Sequence, residues 1–495
     1  MSESTSVSES ASVSESTSVS ESASSPELSE TEAAQASESI TGDAQADKPK
    51  RKSHGRRSSQ EYTGAKKCSV DHDSLKHGDL CPECGKGKVY RQNEPKFLVR
   101  VTGVAPIDAT VYELERLRCN LCGEVFCANA PEGVGEDKYD NRAAAMISLL
   151  KYGCGTPFNR LAKLEQNLGI PLPASTQWEV VKPKAYQMVP VFNEIIKQAA
   201  QGKILHNDDT VGRILQLEGI RNGPYIIDDD GVDKKRTGVF TSGIVSVGDK
   251  HQIALFFTSR KHAGENLETV LKHRASGLGP PIQMSDGLSR NTKGDFETIE
   301  SECNSHARRK YVDVVNSYAD EVEYVLNQYQ IVYKNDEETI KQRMSDEERL
   351  AYHQKHSGPI MASLEKYLRE ALEQNQIELN STLGDAIKYT LKHWEKLTMF
   401  LKIPGAPLDN NICERVMKKA ILHRKNAYFF RTANGAFVGD LFMTLIHTAE
   451  LNNENPFEYL VALLDNESLI AQNPENWMPW NFRQTIATIK ENKIL

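Results

Sequence analysis

At residue 203 the hydrophobic pattern changes period, and this change constrains the fold more than any other feature of the chain. Ile204–Asp208, Arg213–Leu217, Val239–Val247 and Ile253–Thr258 are short β-type runs separated by Gly and Asp turns. Ala263–Arg274 reads as a helix and Pro281–Asp286 as a further strand. Strands, a helix, a strand and then helices make a mixed α/β domain. Between residues 307 and 402 the only proline is Pro359, and Glu, Lys, Leu and Tyr dominate, so that stretch is read as a long helical insertion within the domain. Helices are expected again from Asn411 to Leu464. The tail after them, 465–495, holds Trp477-Met-Pro-Trp480.

Before the strands, residues 137–200 are expected to be helical. Asp140 or Asn141 can cap a first helix with Ala143, Met146, Ile147 and Leu150 at helical spacing. Leu161, Leu164 and Leu168 continue the pattern after Gly155-Thr156-Pro157. Pro171 and Pro173 break it, and Thr176-Gln177-Trp178 opens the next helix. Two short helices split by a turn are either a helix-turn-helix that enters a DNA groove or a plain packing unit.

The first 25 residues repeat a hexad, SESTSV, SESASV, SESTSV, SESASS. Ser and Glu at this density leave nothing to bury, so a disordered tail is expected. It runs into Lys48-Pro49-Lys50-Arg51-Lys52 and Arg56-Arg57, which is either a solvated linker or an arm that touches phosphates. Residues 1–47 hold eight Glu and two Asp without Lys or Arg, so the net charge of −8 leaves the rest of the chain at −8 + 10 = +2. A near-neutral body binds nucleic acid only where its cations cluster. Among the 495 residues no apolar run approaches a membrane span, and the N-terminus lacks an apolar signal core, so a cytoplasmic location is expected.

Cys81-Pro-Glu-Cys84-Gly and Cys119-Asn-Leu-Cys122-Gly are two CxxCG knuckles. Two residues between thiolates let a tight turn aim both at one ion, and the glycine permits the turn. Four sulfurs complete one structural Zn²⁺ site with no open position, within a module spanning 61–136. Cys68, His72, His77 and Cys127 lie nearby and are read as bystanders, although Cys127 can substitute in the shell.

Three acidic positions stand out. Ile204, His206 and Asp208 share one strand face, and Ile282, Met284 and Asp286 share another, so that both aspartates end strands. Carboxylates at the ends of neighbouring strands can converge on a cation; equally, each alone can simply start a turn. The third setting is the helix opened by Asp409-Asn410-Asn411. There Ile412, Cys413, Val416, Met417 and Ala420 form the apolar arc and Glu414, Arg415, Lys418 and Lys419 the polar one. Glu414 is either an i,i+4 partner of Lys418 or part of a site that grips metal ions and phosphates together.

From about Cys81 to Trp480 the chain resembles transposases of the insertion sequence 66 family. His206-Asn-Asp208-Asp209-Thr210 is similar to the segment carrying that family's first catalytic carboxylate, and Ser285-Asp286-Gly287 to the second. Cys303-Asn-Ser-His306-Ala-Arg308-Arg309-Lys310 resembles its Cys-x-x-His-Ala-Arg-Arg-Lys signature. Asp409-Asn-Asn-Ile-Cys-Glu414-Arg415, with His423-Arg424-Lys425-Asn426 and Phe429-Phe430, resembles the segment carrying the third. The resemblance implies a ribonuclease-H-like core over 201–464 with the insertion at about 307–402, and an Asp208, Asp286, Glu414 triad binding two Mg²⁺ ions. It selects Asp208 over Asp209. It also implies DNA partners (element ends and target), a homo-oligomer on DNA, and small accessory proteins encoded beside the gene. Arg415, Lys418, Lys419, Arg424 and Lys425 are candidates for backbone contacts. Arg308 and Arg309, with His306, either line the same cleft or belong to a buried structural motif. Two features depart from the family pattern, the Ser/Glu repeat and Leu288-Ser289-Arg290 where a Gly-Tyr pair is usual. A non-catalytic DNA-binding protein derived from a transposase is the rival expectation.

Overall fold

Nine residues in succession, Ile204–Gly212, form the strand around which the chain is organised (β1). In the computed structural model, residues 74–91 and 105–494 are described, with short gaps at 119, 123–124, 136, 219–224, 228–232 and 293–295, together with the single residues 69 and 72. The Ser/Glu repeat and the basic stretch after it lie outside the described residues. The chain divides into two units, residues 1–103 and 104–495.

In the second unit β1 is the middle of a five-stranded sheet with Val239–Val247 (β2), Gln252–Ser259 (β3), Ile282–Ser285 (β4) and Ile299–Glu302 (β5), in the order β3-β2-β1-β4-β5. β2 runs antiparallel to both β1 and β3, whereas β4 lies parallel to β1 and β5 parallel to β4. β1 runs past the expected end at Asp208 because Asp209–Gly212 continue the ladder onto Val239–Ser242. The strand expected over Arg213–Leu217 does not form. Leu215–Leu217 is a single 3-10 turn, and Ile214 makes only one bridge, to Phe430. β5 escaped the pattern because Ile-Glu-Ser-Glu carries one apolar residue in four.

The helices before the sheet are α1 (Asn141–Ser148), α2 (Phe158–Asn167), α3 (Ala174–Gln187) and α4 (Val189–Ala199). Asp140 is the cap of α1, accepting from the Ala143 N–H at 2.7 Å, while the Asn141 side chain reaches Leu464 O. In α2 only Leu161 of the three expected leucines is buried; Leu164 and Leu168 face outward. α5 (Ala263–Leu271) follows β3, and α6 (Ser289–Thr292) follows β4. After β5 come α7 (Asn304–Val312), α8 (Ala319–Lys341), α9 (Asp346–His356), α10 (Gly358–Glu373), α11 (Thr382–Lys392) and α12 (Trp394–Leu397). Pro359 stands at the start of α10, where a missing N–H costs nothing. The chain ends in α13 (Asn411–Ala427), α14 (Ala433–Leu451), α15 (Pro456–Asp465), α16 (Glu467–Gln472) and α17 (Phe482–Ile494).

Among the described residues there are two large apolar cores and a small third cluster of Ile214, Val239 and Ala436. The largest joins α1–α4, strands β1–β3, α5 and α13–α17, so the helices of 137–200 pack into the same core as those strands. The second consists of the insertion and Leu408 just after it, with Ala307, Tyr311, Tyr329, Leu364, Leu368 and Phe400 among its members. Trp477 and Met478 are buried in the larger core, and Trp480 stacks on His251. No described helix is long and apolar enough to cross a membrane.

Cys81, Cys84 and Cys122 lie in hairpin-like turns. In the first unit a Leu80–Lys88 bridge closes a loop in which Cys81 N–H donates to Gly87 O, and Gly85 N–H to Cys81 O at 2.8 Å. The Gly87 N–H points at Cys84 Sγ, 3.5 Å away, and lowers that thiol's pKa. In the second unit Arg116–Arg118 pairs antiparallel with Val125–Cys127, and Cys122 lies in the connection between them. Cys119 is outside the described residues, so the four-sulfur site rests on the spacing of the pairs.

Candidate active site

The register of β1 against β4 sets the geometry. Ile204 pairs with Ile282 and His206 with Met284, so two residues further on Asp208 comes abreast of Asp286, just past the end of β4. Paired residues of adjacent strands project to the same face. On the other side of β1, Asp208 pairs with Gly243 of β2, and a Cβ built on Gly243 would run into Met417, with Cys413 just beyond. Both belong to α13. Asp208 therefore projects to the face of the sheet on which α13 lies, and α13 carries Glu414.

Electrostatics report the same convergence. The Asp208 carboxyl is pushed up to about 7, first by burial and then by the charge of Asp286, with Asp209 and Glu414 adding to it. Asp208, Glu414 and Asp286 likewise raise the buried Cys413 thiol, whose main cause of elevation is burial. Three carboxylates that repel one another across a partly dry pocket are a site short of positive charge.

Each acid is held by named partners. Asp208 Oδ1 accepts from the Asp209 N–H at 2.7 Å. Asp286 Oδ1 accepts from Asn291 Nδ2 at 2.7 Å and from the Leu288 N–H at 3.1 Å, while Tyr389 of α11 donates its hydroxyl to Asp286 O. Gly287 follows at φ +79°, and a side chain there would strike the Glu302 carboxylate, so the turn after Asp286 is closed to other residues. Glu414, 28% exposed, has His306 Nδ1 at 3.7 Å; among the described ion pairs Lys418 is not its partner. The start of α13 is pinned by Asn410, which is fully buried. Its Oδ1 meets His206 Nδ1 at 3.0 Å, its Nδ2 donates to Asn207 O, and its N–H donates to Cys303 Sγ. His206 is kept neutral, its pKa lowered to about 4 chiefly by burial.

Asp209 is turned the other way. Its side chain, 1% exposed, bonds His262 Nδ1 at the start of α5 at 2.7 Å and lies 3.4 Å from the Arg290 guanidinium of α6. The departure at Leu288-Ser289-Arg290 thus supplies an orienting N–H for Asp286 and a cation for Asp209.

The other residues singled out from the sequence separate into groups. Arg415, Lys418 and Lys425 are exposed on α13. Lys419 pairs with Glu450 at 3.4 Å, and Arg424 donates to Val211 O at 2.7 Å, tying α13 to the end of β1. Arg308 and Arg309 are exposed on α7, whereas Cys303 is buried at its cap and its thiol is pushed up to about 12, mainly by burial. Cys303, His306 and Glu414 offer donor atoms within 4.8 Å of one another. Sequence reasoning missed Asn410, His262, Arg290 and Tyr389. Asn410 and Arg290 lie in segments quoted above, but their roles, like those of His262 and Tyr389, come from partners more than fifty residues away.

The donor set fits hard divalent cations. Carboxylate oxygens are the ligands such ions take, and a carboxyl pushed up to about 7 by burial and then by a neighbouring acid is a site that a cation would discharge.

The chain matches the transposase IS66 family over residues 138–437, more than half its length, a span that contains Asp208, Asp286 and Glu414. It is also similar to three proteins of Sinorhizobium fredii (strain NBRC 101917 / NGR234), each described as uncharacterized. Identity to y4jD is 26%, covering 81% of this chain and 78% of that one. Identity to y4hP is 26%, covering 75% and 68%, and identity to y4qI is 24%, covering 69% and 62%.

Proposed function

Since the chain belongs to the IS66 transposase family, we propose that it cleaves and joins DNA at the ends of an insertion sequence, with Asp208, Asp286 and Glu414 as its metal-binding triad. The observation that carries this reading is the alignment of Asp208 with Asp286 on neighbouring parallel strands, on the face that α13 covers. The sheet order β3-β2-β1-β4-β5, with only β2 reversed, supports a ribonuclease-H-like core.

Asp208, Asp286 and Glu414 would hold divalent ions, two Mg²⁺ in this reading, which when bound activate a nucleophile and stabilise the leaving oxygen. In cleavage water attacks phosphorus and the P–O3′ bond breaks, leaving a 3′-hydroxyl. In joining that hydroxyl attacks a target phosphorus and a target P–O3′ bond breaks in turn. The protein's part is placement. Asn291 and the Leu288 N–H fix the Asp286 carboxylate, and Asn410 fixes the helix that brings Glu414. Exposed Arg415, Lys418 and Lys425 offer charge to the DNA backbone, which positions without reading sequence. Cys81, Cys84, Cys119 and Cys122 would hold one structural Zn²⁺.

The test is nicking of a plasmid carrying the element's ends, with and without Mg²⁺. Wild type should cut; Asp208→Asn, Asp286→Asn and Glu414→Gln should each lose activity by several orders of magnitude while still binding DNA. Normal activity in all three variants would defeat the assignment, and DNA binding without cutting by the wild type would favour a non-catalytic DNA-binding protein.

A further inference from the structure

The C-terminal end of α13 breaks off in an unusual way. Tyr428 has φ +65° and ψ −43°, and the Phe429 N–H donates back across it to Ala427 O at 2.8 Å. These are the marks of a classic γ-turn, a rare and strained conformation, here centred on a bulky L-residue. The turn is not slack. Tyr428 N–H donates to Arg424 O, Phe430 N–H to Arg213 O and Leu215 N–H to Phe430 O, so the segment is stitched to the chain leaving β1.

What the strain achieves is a division of three consecutive aromatics. Phe430 turns inward and stacks on buried His423. Tyr428 and Phe429 are left outside, 67% and 42% exposed. The Arg213 guanidinium lies 6.0 Å from the Phe429 ring and pairs with Glu218, and Lys425 and Arg431, three residues before and three after Tyr428, are exposed as well. Exposed rings framed by cations are the surface on which proteins stack unpaired bases while the cations meet phosphates. The ledge borders Gly212 and Arg213, with which Tyr428 and Phe429 line one small cavity. Gly212 is four residues along β1 from Asp208, about 13 Å, or about four nucleotides of a B-form strand.

We infer that Tyr428, with Phe429 beside it, stacks an unpaired base of the DNA strand that leads to the carboxylate pocket. This rests on the transposase reading and adds to it a contact with single-stranded or locally opened DNA. A duplex offers its rings no free base, so the ledge selects DNA that has been opened near the reacting phosphate.

The experiment compares binding of an oligodeoxythymidine and a mixed-sequence duplex of equal length by the full chain and three variants. Tyr428→Gly suits the test because glycine accepts the positive φ, so the fold is retained and only the ring is lost. Tyr428→Gly and Tyr428→Ala should weaken single-strand binding about tenfold, the scale of one lost base stack, with duplex binding unchanged. Tyr428→Trp should keep single-strand affinity, and 2-aminopurine fluorescence should be quenched by wild type and Tyr428→Trp but not by Tyr428→Gly. Equal loss on both DNAs, or none on the single strand, overturns the inference while leaving the transposase reading intact. So does a drop in oligomeric mass for Tyr428→Gly at unchanged DNA affinity, which would assign the ledge to a second copy of the chain. Failure of the wild type to bind either DNA would remove the transposase reading as well.

Discussion

Gly243 faces Asp208 across the β1–β2 pair, and the space its side chain would occupy belongs to Met417 of α13. The acid on one strand thus depends on the absence of a side chain on the next. In that gap the buried Met417 side chain packs, beneath the helix carrying Glu414.

Gly243→Ala should therefore push α13 away. Overpacking of this kind costs about 1–3 kcal/mol, so the melting temperature should fall, and cleavage should fall further because Glu414 moves with the helix. Met417→Ala in the same chain should restore much of both. A Gly243→Ala protein with wild-type melting and activity would show that α13 is not seated as described.

Asp208 makes stability depend on pH. Its folded value, about 7, lies above its unfolded value of 3.8, so its contribution is fully present below the unfolded value and is lost as pH rises through about 7. In chelator, the melting difference between Asp208→Asn and wild type should widen in favour of the variant from about pH 4 to about pH 8. Mg²⁺ at the upper end should raise the wild type more than the variant. A difference that stays flat across the range would mean that neither burial nor the neighbouring acids raise Asp208.

Asp209→Asn separates the two neighbouring acids. Asp209 pairs with His262 and Arg290 on the far face, so its replacement should lower the melting temperature yet leave cleavage far above that of Asp208→Asn. Loss of activity in Asp209→Asn with retention in Asp208→Asn would shift the site by one residue.

Metal analysis should find about one zinc per chain. Chelation, or Cys84→Ser, should open the segment around residues 81–122 to protease. Zinc-free protein in which that segment stays protected would refute the four-cysteine site.

Patterned features were legible from residue order alone. β2 and the apolar arc of α13 appeared within a residue or two, because period-2 and period-3.6 burial write themselves into local sequence. The three carboxylates were visible as strand-end and helix-start acids, but only the family resemblance chose Asp208 over Asp209. In the structure successive residues of β1 point to opposite faces, and Asp208 projects to the one that carries α13 while Asp209 faces His262. Arg213–Leu217 misled because its apolar alternation serves a turn bridged to Phe430, a partner two hundred residues away. β5 was silent, and Asn410 was legible only as part of a helix start, for the complementary reason: their roles come from neighbours in space, which neither Ile-Glu-Ser-Glu nor a single Asn records.

The insertion begins and ends at one spot. Asn304 donates through its side chain to Leu397 O and Leu408 O, its own N–H reaches Leu408 O, and Asn410 N–H meets Cys303 Sγ. About a hundred residues thus leave the sheet and return through a clasp, with an apolar core of their own. Such an excursion can lengthen, shrink or be exchanged over generations without disturbing where Glu414 arrives. Tyr389, reaching back to the carbonyl of Asp286, together with His393 on Glu302 and Lys396 on Glu300, ties the excursion to the sheet it leaves.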